Sequence, residues 1–219
     1  MANPGSPGRR GALRRSRLSP AARRRAILAG ARQALLRHGI QGTTMDDVAA
    51  AAGVAKGTPY LYFPSKAELL AALRLEYDTE MAERARRLLQ ASPDVGPGSQ
   101  RLDASADAGL AVPRLEALAA SMFEFAVEHR DLHHVLFHDA GGAAQEQLGP
   151  VTDALASFLA AGMASGWLRP GDPAFLAGVL VAGVHAAMLP SLHQEQPDRE
   201  AFLALARDLI GRLFGTGPE

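Results

Sequence analysis

The most constraining stretch of this chain is Thr43 to Lys66, TTMDDVAAAAGVAKGTPYLYFPSK, in which two short helical patterns flank one glycine. Thr44 suits a helix N-cap, and Asp47 adds negative charge at the same positive helix end. Met45, Val48, Ala49 and Ala52 then share one side, and Gly53 supplies the left-handed residue at which such a helix stops and turns. A second helix is predicted from about Ala55 to Phe63. Two helices joined by so tight a turn form a helix-turn-helix, with Lys56, Gly57, Thr58, Tyr60 and Tyr62 placed to meet a groove.

Charge separates this region from the rest. The net charge is zero, yet residues 1–66 hold 12 Lys+Arg against Asp46 and Asp47, while the remainder holds 11 against 21. A basic head on an acidic body is the distribution of a nucleic-acid-binding protein whose second part does something else. At 219 residues and 47% apolar, the chain can bury a sizeable core, and its alanine and leucine content favours an all-α fold. With no cysteine there are no disulfides and no thiolate metal sites. No apolar run follows Arg9 to Arg17, so a secretory signal is not predicted and a cytoplasmic location is expected.

Gly39, Thr43 and Thr44, Asp47-Val48-Ala49, Ala52-Gly53-Val54, Lys56-Gly57-Thr58, Tyr60, and Tyr62-Phe63-Pro64-Ser65-Lys66 leading to Leu69-Leu70 together resemble the tetracycline-repressor (TetR) family of bacterial transcription regulators. The likeness is specific for about residues 20 to 75. It implies phosphate contacts from Thr43, Thr44, Tyr60, Tyr62 and Lys66, groove-facing roles for Lys56, Gly57 and Thr58, a homodimer, and an inducer site in the body. Pro59 departs from the family pattern, which usually has an apolar residue there. Proline lacks an amide proton, but so near a helix start the expected damage is small.

In chain order, residues 1–18 are predicted to be a disordered basic arm, 19–66 the DNA-binding head and 67–219 a ligand-binding and dimerisation body. About nine helices are expected. Ser19 and Pro20 mark the start of the first, which Gly39 ends. Pro64 breaks the chain and Ser65 with Glu68 forms a capping box for a helix running to about Gln90, the mechanical link between head and body. Residues 91–112 read as a loop. Further helices are predicted from Pro113 to about His129, from Asp131 to Asp139 (closed by Gly141-Gly142), and from about Gln145 to Trp167. The next is Phe175 to Leu189, too short to span a bilayer that needs about 20 residues. The last runs from Asp198 to Phe214, with a Phe202, Leu205, Leu209, Leu213 stripe. Pairing the last two helices with their copies would make a four-helix bundle.

A pocket between body helices would draw on Met122, Phe123, Phe125, Phe137, Phe158, Met163, Trp167, His185 and Met188, and so would accept an apolar small molecule. His129, His133, His134 and His138 contain two pairs at four-residue spacing. They raise the alternative of a helical metal-binding protein or enzyme, although the preferred reading assigns neither metal nor cofactor. No nucleophile-base pair or phosphate loop is present, so catalysis is not expected. A nonspecific nucleoid protein is the other alternative. The preferred reading is a ligand-responsive regulator, a repressor, that binds a palindromic double-stranded operator as a homodimer and has no membrane partner.

Overall fold

A computed structural model describes residues 19–90, 104–137 and 149–214; the N-terminal arm, His138 and the Gly141-Gly142 pair lie outside them. Among the described residues there are eight α-helices, one 3-10 turn and no strand: α1 (Pro20–Gly42), α2 (Met45–Ala51), the 3-10 turn (Pro59–Leu61), α3 (Lys66–Gln90), α4 (Ala104–Glu128), α5 (Arg130–Phe137), α6 (Gly149–Ala164), α7 (Pro173–Leu192) and α8 (Arg199–Phe214). This is the all-α head-and-body architecture that the apolar periodicity predicts.

The head forms from α1, α2 and the 3-10 turn, packed on the first turns of α3. Ser19 caps α1 by accepting from the Ala22 amide (3.2 Å), with Pro20 at the first helical position. Gly39, at φ 65°, kinks the end of α1 and permits one more turn before Thr43. Ile27, Leu28, Ala31 and Leu35 bury one face of α1 against Val48 and Phe63. The closest approach is at Gly30, which has no side chain and lies directly against the backbone of Ala52.

Helix α3 joins head to body. Its start is as predicted, with Ser65 Oγ accepting from the Glu68 amide (3.1 Å). Leu69 and Leu73 belong to the head core, while Met81, Ala82, Ala85 and Leu89 pack in the body. Helices α4, α6, α7 and α8 complete the body, and α5 lies between α1 and the body.

Three element predictions need correction. Helix α4 begins at Ala104, so Pro113 sits inside it and part of the predicted 91–112 loop is helical. Gly109, four residues before Pro113, is exposed, so its carbonyl can bond to water in place of the missing proline N–H. Helix α7 has 20 residues rather than fifteen and is long and apolar enough to cross a bilayer by length and composition. Its length therefore does not separate a span from a core helix. Instead Ala177, Leu180, Val181, Val184 and Met188 are buried in the body, leaving Phe175, Ala182 and Ala186 uncovered. On α8 the buried stripe is Phe202, Leu203, Ala206 and Ile210, so Leu205 of the predicted stripe points outward, 58% exposed.

Candidate nucleic-acid interface

The helix-turn-helix is built by reciprocal capping. The Asp47 amide donates to Thr44 Oγ1 (3.2 Å), the Thr44 amide donates to Asp47 Oδ2 (2.9 Å), and the Thr44 hydroxyl also donates to that carboxylate (2.6 Å). These bonds from Thr44 hold the Asp47 carboxyl below the usual carboxylate range. The cap fixes where α2 begins. Its end is set by Gly53 at φ 64°, and the Val54 amide bonds back to the Ala49 carbonyl (3.0 Å).

The second helix of the motif is not an α-helix. Residues 55–63 form successive tight turns, with Thr58 N bonded to Ala55 O (2.8 Å), Leu61 N to Thr58 O (3.1 Å) and Tyr62 N to Pro59 O (3.1 Å). Only Phe63 N to Pro59 O (2.9 Å) has α-helical spacing. Pro59 has no N–H to return to Ala55, so although Thr58 itself keeps helical backbone (φ −64°, ψ −42°) the segment settles into 3-10 geometry. The expectation of slight damage underestimated the proline. Pro59 itself is buried, as is Phe63, whose ring carries the Arg24 guanidinium at 5.1 Å.

What these turns present to solvent is Lys56, Gly57, Tyr60 and Leu61, with Thr58 and Tyr62 half-buried. Tyr60 is 52% and Leu61 82% exposed, which excludes Tyr60 from the head core and adds Leu61 to the surface. An apolar side chain so exposed on this surface suits contact with a thymine methyl. No local signal marked Leu61, because its residue type reads as core.

Two predicted phosphate contacts are already engaged. Thr43 is buried (4% exposed) and its hydroxyl donates to the Gly39 carbonyl (2.7 Å), so that hydroxyl does not face DNA. The Lys66 ammonium donates to the Ile40 carbonyl and ties the start of α3 to the end of α1. Lys56 is paired with Asp46 at 2.9 Å, both exposed.

In the body, a small chamber lies among α3, α4, α5, α6 and α7. It brings together Met122, Phe125, Phe137, His185 and Met188 of the predicted pocket residues. The others sit elsewhere: Phe123 stacks on Phe202 of α8 (4.6 Å), Phe158 packs with Trp167 (5.3 Å), and Met163 lies near Leu176 and Phe214. The chamber also holds Tyr77, Asp78 and His133, which the sequence reading missed. Tyr77 Oη and His133 Nδ1 share a hydrogen bond of 2.9 Å, and Arg74 pairs with Asp78 at 2.9 Å with both side chains buried.

The histidines diverge. His129 is 4.0 Å from Glu80, His133 bonds to Tyr77, and His134 packs edge-on to His193. Among the described residues no three His, Cys, Asp or Glu side chains are grouped so as to hold a metal ion.

A capped helix, a glycine turn and an exposed basic turn on one helical head, joined by a long helix to a separate helical body, define a one-component DNA-binding regulator. Residues 27–73 match the family model of bacterial regulatory proteins, tetR family. The whole fold is shared with solved regulators. A TetR-like transcriptional regulator from Rhodococcus sp. RHA1 is 25% identical, covering 90% of this chain and 97% of that one at a TM-score of 0.56. SmeT, the repressor of the Stenotrophomonas maltophilia multidrug efflux pump SmeDEF, is 24% identical over 90% and 96% at a TM-score of 0.60. FadR from Bacillus subtilis, solved with stearoyl-CoA, is 18% identical over 88% and 99% at a TM-score of 0.63. No curated protein matches the chain.

Proposed function

We propose that this regulator is a repressor that binds a palindromic operator as a homodimer and lets go when an apolar small molecule enters the body chamber. The observation that carries the reading is the exposed Lys56 to Leu61 segment, set by a capped α2 on a head that together with the N-terminal arm (residues 1–66) has a ten-charge basic excess. Thr44, Lys56, Gly57, Thr58, Tyr60, Leu61 and Tyr62 form the contact surface. Lys66 takes part only if an incoming phosphate displaces or shares its bond to Ile40.

Dimerisation follows from the outer face of the last two helices. Phe175, Ala182 and Ala186 of α7 and Leu205 of α8 form an apolar surface that a second copy would cover. Gly183 lets α8 approach α7 closely within one chain, since a Cβ there would lie 2.6 Å from Leu209. The pair thus acts as one rigid half of a four-helix bundle.

The test is fluorescence anisotropy with duplexes tiled across the DNA upstream of the coding region, alongside a shuffled duplex, and sedimentation of the free protein. A dimer that prefers one tile by a hundredfold or more supports the proposal. Equal affinity for shuffled DNA would make this a nonspecific binder, and a monomer at micromolar concentration would refute the α7–α8 interface.

A further inference from the structure

We propose that the body chamber takes an apolar monocarboxylate, bound through its head group by the Arg74 guanidinium in place of Asp78. The inference rests on the ligand-responsive reading above and names the class of ligand that reading leaves open.

The chamber wall is mainly apolar, built from Met81, Met122, Phe125, Val151 and Met188, so the body of a ligand would be hydrocarbon or aromatic. Its polar end is the Asp78 carboxylate, and directly behind this wall lies Arg74, paired with Asp78 and seated over the Phe137 ring. The Arg74 side chain is only 6% exposed, and its Nε donates to Asp78. Nη1 reaches the Leu136 carbonyl only at 3.4 Å, and Nη2 has no hydrogen-bond partner. A buried guanidinium N–H left without an acceptor is costly, so a molecule bringing acceptor oxygens is favoured at this end of the site. A carboxylate brings two, in the geometry a guanidinium fork matches.

A cationic ligand is disfavoured by the same geometry. Both phenylalanine rings of the wall already carry a guanidinium, Phe137 that of Arg74 at 3.4 Å and Phe125 that of Arg84 at 4.6 Å. The one carboxylate in the wall, Asp78, is already the partner of Arg74.

Asp78 is suited to give up its place. Burial pushes its pKa up to about 6 despite the neighbouring guanidinium, so it accepts a proton readily. Arrival of a second carboxylate raises it further, because two anions cannot share one buried cation without one of them taking a proton. The exchange balances: the ligand enters ionised, and Asp78 takes one proton from solvent. The other titratable groups facing this point are Tyr77 on α3, His133 on α5 and His185 on α7; the wall residues from α4 and α6 are apolar. The chamber volume is about 20 Å³, space for one water molecule, so a ligand enters only if the surrounding helices part.

The experiment is isothermal titration calorimetry on the full chain with three probe series of matched length, six to ten carbons: sodium alkanoates, primary alcohols and alkylammonium salts. Alkanoates are expected to bind at least tenfold more tightly than alcohols of equal length, with alkylammonium weakest. Arg74→Gln should abolish the preference while leaving alcohol affinity within about threefold. Should that variant fail to fold, the parent decides: the acid-to-alcohol affinity ratio rises as pH falls from 8 toward 6, as Asp78 takes up its proton. Equal binding of acid and alcohol, tighter binding of the amine, a flat ratio with pH, or no binding of any alkanoate at millimolar concentration each overturns the proposal. Operator binding is measured separately. A protein that binds its operator and is released by some other apolar compound keeps the functional reading while losing this one, whereas alkanoate binding without operator binding does the reverse.

Discussion

Replacing Gly30 by alanine separates the packing of the head from its chemistry. Alanine is the better helix former, so in an open position the change would stabilise α1 by about 1 kcal/mol. Gly30 is not open. A Cβ there would lie 2.6 Å from the Ala52 amide nitrogen, 2.8 Å from its Cβ and 2.9 Å from its Cα. Restoring an ordinary contact of 3.4 Å from 2.6 Å moves α2 outward by about 0.8 Å, and the obstacle is largely backbone with no rotamer to escape into. Overpacking of this kind costs about 1–3 kcal/mol. Net of the propensity gain, a loss of up to about 2 kcal/mol is expected, read as a lower urea midpoint at unchanged slope. The folded population of an ordinary domain survives that loss. Operator affinity should nevertheless fall by more than tenfold, because the turns that follow Ala52 move with it. The control is Gly57→Ala, where nothing lies within 4 Å of the added carbon. It should leave the urea midpoint unchanged or higher and weaken operator binding by roughly tenfold, about 1.4 kcal/mol, if DNA backbone approaches there. Gly30→Ala with stability about 1 kcal/mol above the parent, the full propensity gain, would refute the close α1–α2 contact.

Thr44→Ala removes the hydroxyl half of the α2 cap, leaving the residue-44 amide bonded to Asp47, and should cost about 0.5–2 kcal/mol in urea or thermal unfolding. Lys56→Ala should flatten the dependence of log K on log salt by about 0.9 if Lys56 meets phosphate. Asp46→Asn, which removes the anion paired with Lys56, should tighten DNA binding in the same assay, and weaker binding would show the ion pair to be a positioning device. Arg130 donates to the carbonyls of Leu192 (2.7 Å), Gln194 and Glu195 and so closes the end of α7; Arg130→Ala is expected to lower stability by about 1–3 kcal/mol, with parental stability refuting that role. The Asp78 carboxyl titrates higher in the folded chain than the ordinary value of 3.8, so the folded state holds the extra proton between these values. Its contribution is therefore most favourable below about pH 4 and is lost as pH rises through 6. The stability of the parent relative to Asp78→Asn should decline from pH 5 to pH 7, measured by urea unfolding at each pH.

The capped start of α2, the Ser19-Pro20 start of α1 and the Ser65 start of α3 were legible because each depends on a side chain bonding within its own first turn. Packing partners reach no such local signature. Arg74 and Asp78 lie four apart on α3, a spacing that reads as a solvated ion pair, and only tertiary contact with Leu136 and Phe137 reveals it as buried. The histidines failed in the opposite sense. His129 and His133 keep helical spacing across the junction of α4 and α5, with the His133 amide bonded to the His129 carbonyl (2.8 Å), but both rings meet Tyr77, His133 through its hydrogen bond and His129 edge-on, so the shared face is occupied by an aromatic ring. Pro59 shows the limit of position-based reasoning: one missing amide mattered because the segment has few other helical bonds to hold it.

How a chamber in the body is felt by the head follows from which elements touch both. Helix α1 packs on α2, α3 and α5, so the position of the head is set by α3 and α5 together. Those two helices also supply Tyr77, Asp78, His133 and Phe137 to the chamber wall, and Arg74 bridges them from α3 to the Leu136 carbonyl of α5. A ligand that parts the wall must therefore loosen the Arg74–Leu136 and Tyr77–His133 links or carry α5 with it. Either way α1 moves relative to α3, and the Lys66–Ile40 bond, which spans that same joint, is the contact that resists it. Lys66→Met should then lower the ligand concentration needed to release DNA, beyond any loss of DNA affinity itself. An unchanged release midpoint, after correction for that affinity, would mean the joint moves as one body and the signal passes elsewhere, through the dimer face.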